Sequence, residues 1–289
     1  DFSWSAGAST WTGSQSDTAL SSVISAVDTL VDTDWECTVT PTDSFGDAGL
    51  SSTERLSMGP ASCFDASDTN LKFWLNAMDY SLNNADSLSG ILADKSNYGH
   101  ALTTSAYYES TGFGGLPTIR HDGHQTRMDN AISTANDTYM FMVIEIVSTP
   151  NNWANIFEHH HRDDGLSLEH CGQCGGSNRY HWQTNNDNSG VVMSLNFEER
   201  YIMFAKIEDG HKRAWNVYKD DGGGNLVLHD SVSSNNGTMV IGNSRFWLGE
   251  GSGGGNEQSD FRLSEMAYFQ GALLDSEVDI VDCLYGSWF

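Results

Sequence analysis

The residues best suited to chemistry lie between Glu145 and Asp187. Cleaving a glycosidic bond takes two carboxylates flanking that bond, and on one strand they must be alternate residues to share a face. Glu145 stands in an apolar run but is followed by Ile146 and Val147, with no second acid, and Asp163-Asp164 reads as a loop. This spacing argues against an enzyme. Glu158, His159, His160, His161 and Asp163 include enough donors for a transition metal. Successive strand residues point to opposite faces, however, so the three histidines do not converge on one ion, and a solvated loop or strand end is expected. Cys171 and Cys174 form a C-x-x-C beside His170, without the second such pair that a zinc site needs, so a local disulfide is expected. Carbohydrate binding asks for less: aromatic faces for sugar CH groups, with amides and acids for the hydroxyls. Trp153, His160, Tyr180, Trp182, Asn185 and Asp187 form the candidate ligand-binding set, with core packing as the competing role for each ring.

Strands have to carry these residues. Short apolar runs alternate with Gly, Asn, Asp and Ser clusters along the chain, the pattern of a β-sandwich or barrel. Leu71, Phe73 and Leu75 alternate on one face of a strand, and Tyr139 to Val147 is apolar on both faces, as a central strand should be. Tyr201 to Ile207, Thr238 to Ile241, Phe246 to Leu248 and Arg262 to Phe269 read as further strands. Ala214 to Tyr218 and Leu226 to Leu228 flank Asp220-Asp221-Gly222-Gly223-Gly224-Asn225, a hairpin signal. Asp275 to Tyr285 is the exception: Val278, Val281 and Leu284 or Tyr285 have helical spacing, Asp275 suits the cap and Glu277 the first turn. Residues 1–59, rich in Ser, Thr and Asp, read as a small β module, with a boundary near Gly59-Pro60 and a main domain over 60–289.

The charge balance excludes some partners. Asp and Glu number 39 against 14 Lys and Arg, a net charge of −25, which repels nucleic acid and anionic membranes. No apolar run reaches the roughly 18 residues of a membrane span. Asp1 opens without the basic and apolar regions of a signal peptide, so a leader is expected to be absent or already removed. Five cysteines point to an oxidising compartment.

Several motifs resemble concanavalin A-like, laminin-G-like domains. They are Trp74-Leu75-Asn76-Ala77-Met78-Asp79, then Asp94 to Ala101, then Gly115-Leu116-Pro117-Thr118-Ile119-Arg120-His121-Asp122-Gly123. Glu265, Phe269, Leu273 and Glu277 follow, ahead of Tyr285-Gly286-Ser287-Trp288. The pattern departs from the family at Asn76, where an acid is usual. The resemblance implies a two-sheet antiparallel jelly-roll sandwich ending in one short helix. It also implies a loop-held Ca2+, for which Asp94, Asn97, Asp122 and Asp129 are the candidates; turn formation is the competing role for each. Phe2-Ser3-Trp4 and Trp35 to Asp43 resemble the second half of bacterial extracellular immunoglobulin-like repeats, so the chain looks like the C-terminal piece of a longer surface protein.

Chain ends of a compact domain often lie close together, which favours a Cys63–Cys283 disulfide and leaves Cys37 over; Cys37–Cys63 is the rival pairing. The expected function is non-catalytic binding of a glycan or surface protein outside the cell or on its surface. The alternatives are a self-assembling structural subunit, such as a filament, sheath or virion-surface decoration, and a polysaccharide-degrading enzyme.

Overall fold

Strand-forming runs in this chain become two stacked antiparallel sheets, one short C-terminal helix and a separate small β module. The computed structural model describes residues 2–6, 9–13, 34–39, 52–57, 63–128, 132–133, 137–148, 154–159, 166–170, 178–184, 192–235, 243–244, 246–249 and 258–289. It divides into two units, Asp1–Cys63 and Phe64–Phe289. The first holds β1 (Phe2–Ala6), β2 (Ser9–Gly13), β3 (Asp34–Val39) and β4 (Ser52–Ser57), an antiparallel sheet in the order β2-β1-β3-β4.

The second unit runs through β5 (Leu71–Asn76), β6 (Leu102–Thr104), β7 (Tyr107–Phe113), β8 (Leu116–Asp122), β9 (Thr126–Met128), β10 (Ile132–Ser133) and β11 (Thr138–Ser148). It continues with β12 (Asn155–His159), β13 (Leu166–His170), β14 (Arg179–Thr184), β15 (Val192–Ser194), β16 (Arg200–Glu208) and β17 (Lys212–Asp220). The last strands are β18 (Leu226–Ser234), β19 (Asn243–Ser244), β20 (Phe246–Leu248) and β21 (Asp260–Gln270), and helix α1 (Glu277–Trp288) ends the chain. The first sheet has the order β18-β17-β16-β11-β21-β8-β7, with β5 also paired to β21. The second has the order β15-β14-β13-β12-β20-β9-β6.

Aromatic side chains fill the space between the sheets. Phe73 of the first meets Phe246 of the second at a centroid distance of 4.4 Å, and Phe157 meets Tyr268 at 5.9 Å. Strand β11 is buried on both faces along nearly all its length, as its unbroken apolar run predicts. The outer face of the first sheet is covered as well. Phe64 packs on Trp74, Phe141 and Phe269, while α1 buries Ile280, Val281, Leu284 and Trp288. Glu265, on the same face, accepts hydrogen bonds from Trp74 Nε1 (2.9 Å) and Trp288 Nε1 (2.8 Å).

Two local details differ from the sequence reading. Ser276, not Asp275, caps α1: its Oγ accepts from the Asp279 amide at 3.2 Å and donates to Asp279 Oδ2 at 2.6 Å. A hydroxyl both accepts and donates, so it closes this reciprocal cap where a carboxylate at 275 does not. The β17–β18 turn forms as expected, with Asp220 Oδ1 accepting from the Gly222 amide at 2.6 Å and Asp221 Oδ1 from the Gly223 amide at 2.7 Å. Gly222 and Gly224 take φ of +85° and +80° there, a backbone region that favours glycine. The Thr238–Ile241 run lies outside the described residues.

Candidate functional site

The outer face of the second sheet is polar, unlike every other packed face of the sandwich. Residues directly opposite in an antiparallel pair share a face, so the register identifies its members. One cross-strand row runs Thr103, Arg127, Trp247, Glu158, Ser167 and Gln183, over β6, β9, β20, β12, β13 and β14. A second row holds Asn155, Glu169, His181 and Val192. The residues between them, Phe157, Leu168 and Tyr180, point inward and are buried in the core. Leu-Ser-Leu-Glu-His over 166–170 thus alternates apolar and polar because one side faces the core and the other this surface.

Glu158, Ser167 and Glu169 are fully buried and His181 nearly so. Trp247 and Arg127 are half-buried and Thr103 is exposed at the rim. His181 Nε2 bonds to Glu169 Oε1 at 2.7 Å. Among the described residues, Glu169 Oε2, Ser167 Oγ and both side-chain polar atoms of Asn155 have no hydrogen-bond partner. A buried polar group without a partner costs about 1–3 kcal/mol, and such atoms also stand elsewhere in the fold, at Trp215 Nε1, Ser259 Oγ and Ser264 Oγ. Two carboxylates, Glu158 and Glu169, stand one diagonal step apart on neighbouring strands.

The expected site residues fall differently. Tyr180 is fully buried on the inner face, edge-on to His170 with ring centroids 5.5 Å apart. It is a core ring rather than a stacking platform, because the β14 register turns it toward the first sheet. Trp182 pairs with Leu168 along the backbone, and its side chain lies outside the described residues. Trp153, His160, Asn185 and Asp187 also lie outside them, as do Cys171, Cys174 and Asp129. His159 is not in a solvated loop: it is buried in β12, with Nδ1 2.9 Å from Tyr268 Oη. The missed residues, Trp247, Glu158, Ser167, Glu169 and His181, carry one sequence signal, polar positions at period two inside short apolar runs.

Asp94 organises a loop. Its Oδ1 accepts from the amides of Trp74 (3.0 Å) and Ser96 (2.9 Å), and its Oδ2 from Ser96 Oγ and the His100 amide, both at 2.9 Å. Asn97 and Asp122 are exposed. Among the described residues, no three His, Cys, Asp or Glu side chains form a group that could hold a metal ion. Cys63 and Cys283 are each disulfide-bonded. No described helix is long and apolar enough to cross a membrane.

A concavity of about 480 Å³ is lined by Glu198, Glu199, Arg200, Lys219, Asp220 and Phe289 among others. Two of its acids are already engaged. Glu199 Oε2 accepts from Tyr201 Oη (2.6 Å) and Lys219 Nζ (3.1 Å), and Asp220 accepts from Tyr285 Oη and the Gly222 amide. The second-sheet face, whose Thr103, Arg127 and Trp247 end reaches solvent, is the stronger candidate.

No family model matches the chain, and no curated protein matches it. Among solved structures it is similar to the binding domain of botulinum neurotoxin DC in complex with SialylT, at 10% identity over 76% of this chain and 52% of that one, with a TM-score of 0.49. It is similar to the binding domain of Paraclostridial Mosquitocidal Protein 1, at 16% identity over 73% and 51%, with a TM-score of 0.46. It is also similar to the Emp47p carbohydrate recognition domain, at 11% identity over 71% and 99%, with a TM-score of 0.41. The chain spans about half the length of the first two structures.

Proposed function

We propose that this chain is a carbohydrate-binding module that acts outside the cell, with the Thr103, Arg127 and Trp247 end of the outer face of its second sheet as the binding surface. The observation that carries this reading is the cross-strand row of Thr103, Arg127 and Trp247, the part of that face that is exposed or half-buried. A half-buried indole suits the CH face of a sugar, and the side chains beyond it suit hydroxyl groups, which both donate and accept. The disulfide-bonded Cys63 and Cys283 and the acidic composition support an extracellular setting. A glycan array tests the proposal. Specific sugar binding is expected, and Trp247→Ala should weaken it at least about tenfold with the melting curve retained. Equal binding by wild type and variant refutes this face as the site.

A further inference from the structure

We propose that the concavity beside Arg200 binds a small zwitterion of amino-acid or dipeptide size, seating its carboxylate on the Arg200 guanidinium and its ammonium on Glu198 and Asp220. None of the residues lining this concavity lies on a strand of the second sheet, so the site stands apart from the carbohydrate face. Acids surround Arg200, yet none pairs with it. Glu198 and Glu199 precede it in the chain, and Glu145 of β11 stands opposite it in the β11–β16 register. Glu199 bonds instead to Tyr201 Oη and Lys219 Nζ, at 2.6 and 3.1 Å, and Glu145 to Arg262 Nη1 at 2.7 Å. Two rings hold the guanidinium: its Cζ lies 5.0 Å from the centre of Phe113 and 5.3 Å from that of Phe289. Gly114 lets it settle there, since a Cβ at that position would lie 2.6 Å from Arg200 Nη1. Stacking uses the faces of a guanidinium and leaves the N–H donors at its edge. No hydrogen bond or ion pair engages those donors among the described residues.

A guanidinium edge matches a carboxylate through two parallel N–H···O bonds. The rest of the lining sets the charge of the ligand. Lys219 is engaged by Glu199. Asp220 stays ionised, because bonds from the Tyr285 hydroxyl and the Gly222 amide hold its carboxyl below the ordinary carboxylate range. Glu198 is exposed, and its carboxylate has no partner among the described residues. Its φ is +58°, with its amide bonded to the Ile146 carbonyl at 2.8 Å. Residues other than glycine are uncommon in that backbone region, and such strain clusters at ligand sites. The concavity thus sets two acids that no cation pairs, Glu198 and Asp220, against one free guanidinium. A phosphate would bring up to about two negative charges beside those acids. An ammonium brings three donors and no acceptor, which suits them. A molecule bearing a carboxylate and an ammonium meets both demands and adds no net charge. The volume of about 480 Å³ falls within the roughly 300–1,000 Å³ of small-molecule sites.

The test titrates the full chain by calorimetry with alanyl-alanine and with its N-acetyl and C-amide forms. The free dipeptide should bind at least about tenfold tighter than either blocked form. Arg200→Gln should bring the free and C-amide forms within about threefold of each other. Glu198→Gln should narrow the gap between the free and N-acetyl forms. Lys212→Gln removes a cation that is 50% exposed at the other end of β17. It should leave both preferences intact, and so separates a local seat from the loss of one positive charge. If Arg200→Gln does not fold, Arg200→Lys serves in its place: it keeps the charge, loses the fork, and should also narrow the gap to the C-amide form. Equal affinity for the free and C-amide forms overturns the Arg200 seat, and equal affinity for the free and N-acetyl forms overturns the ammonium seat. Preferences that survive the Arg200 variant, or that fall equally in Lys212→Gln, overturn the site. If none of the three forms binds, the proposal fails while the carbohydrate reading stands.

Discussion

Glu265→Gln tests how the last helix is held. Glu265 sits on β21 with 2% of its surface exposed and receives both Trp74 and Trp288 indole N–H groups, one on each carboxyl oxygen. An amide of the same shape offers one acceptor. Its NH2 then faces the other indole N–H, so one hydrogen bond is lost and two donors meet. Losing a bond to a charged acceptor costs about 1.5–3 kcal/mol. For a unit of this size each kcal/mol moves the melting temperature by about 2–4 °C, so a fall of roughly 4–8 °C is expected. The variant also carries a pH signature. Burial, working against the two indole bonds, raises the Glu265 carboxyl above its ordinary 4.5. Between 4.5 and that raised value the folded chain holds a proton that the unfolded chain has lost. Glu265 therefore favours folding most fully below pH 4.5, and its contribution falls as pH rises through the folded value. The wild type's advantage over Glu265→Gln should be largest in acid and shrink toward neutrality. Melting curves followed by circular dichroism at pH 4 and pH 7 measure both effects. A shift below about 1 °C, or an advantage that grows with pH, refutes the argument.

Three further tests follow from the buried groups and the disulfides. His121 lies stacked on Phe261, and burial, aided by His124, pushes it down to about 3 from 6.5. The unfolded chain therefore takes up this proton first on acidification, so stability should fall from pH 6.5 toward 3 by up to about 1.4 kcal/mol per pH unit. His121→Gln should flatten that slope in urea titrations, and an unchanged slope assigns it elsewhere. Asp94→Ala should lower stability by about 1–3 kcal/mol through the lost loop bonds, by the same amount with calcium or with chelator; a calcium-dependent difference would instead make Asp94 a ligand. Peptide mapping without reduction is expected to recover Cys63 linked to Cys283, and a Cys37–Cys63 peptide refutes that pairing.

The sequence made the apolar framework legible and hid the polar face. The unbroken run Tyr139 to Val147 and the alternating Leu71, Phe73 and Leu75 announce β11 and β5, because their pattern has a single structural reading. The hairpin at Asp220–Asn225 was legible for a similar reason: its glycines meet the positive φ that the turn requires. Strands β12, β13 and β14 were not legible as strands. Glu158, Glu169 and His181 look like loop residues when polarity alone is read, since ionisable side chains are seldom fully buried. Residue type leaves Tyr180 open between stacking and core packing and puts His159 in a solvated loop or strand end; the register turns both into the core.

A pair of carboxylates alternating on one strand is a sign of a glycoside hydrolase, and its absence around Glu145 argues against an enzyme. The sheet supplies what spacing along one strand does not. Glu158 and Glu169 are eleven positions apart in the chain, yet the β12–β13 pairing sets them on one face a diagonal step apart. The other face available on this sandwich is already occupied: α1 and Phe64 cover the outside of the first sheet, and Glu265 there has both oxygens matched. Two buried glutamates contrast in their bonding. Glu265 has both oxygens matched and holds the last helix, whereas Glu169 bonds His181 through Oε1 and its Oε2 has no hydrogen-bond partner among the described residues.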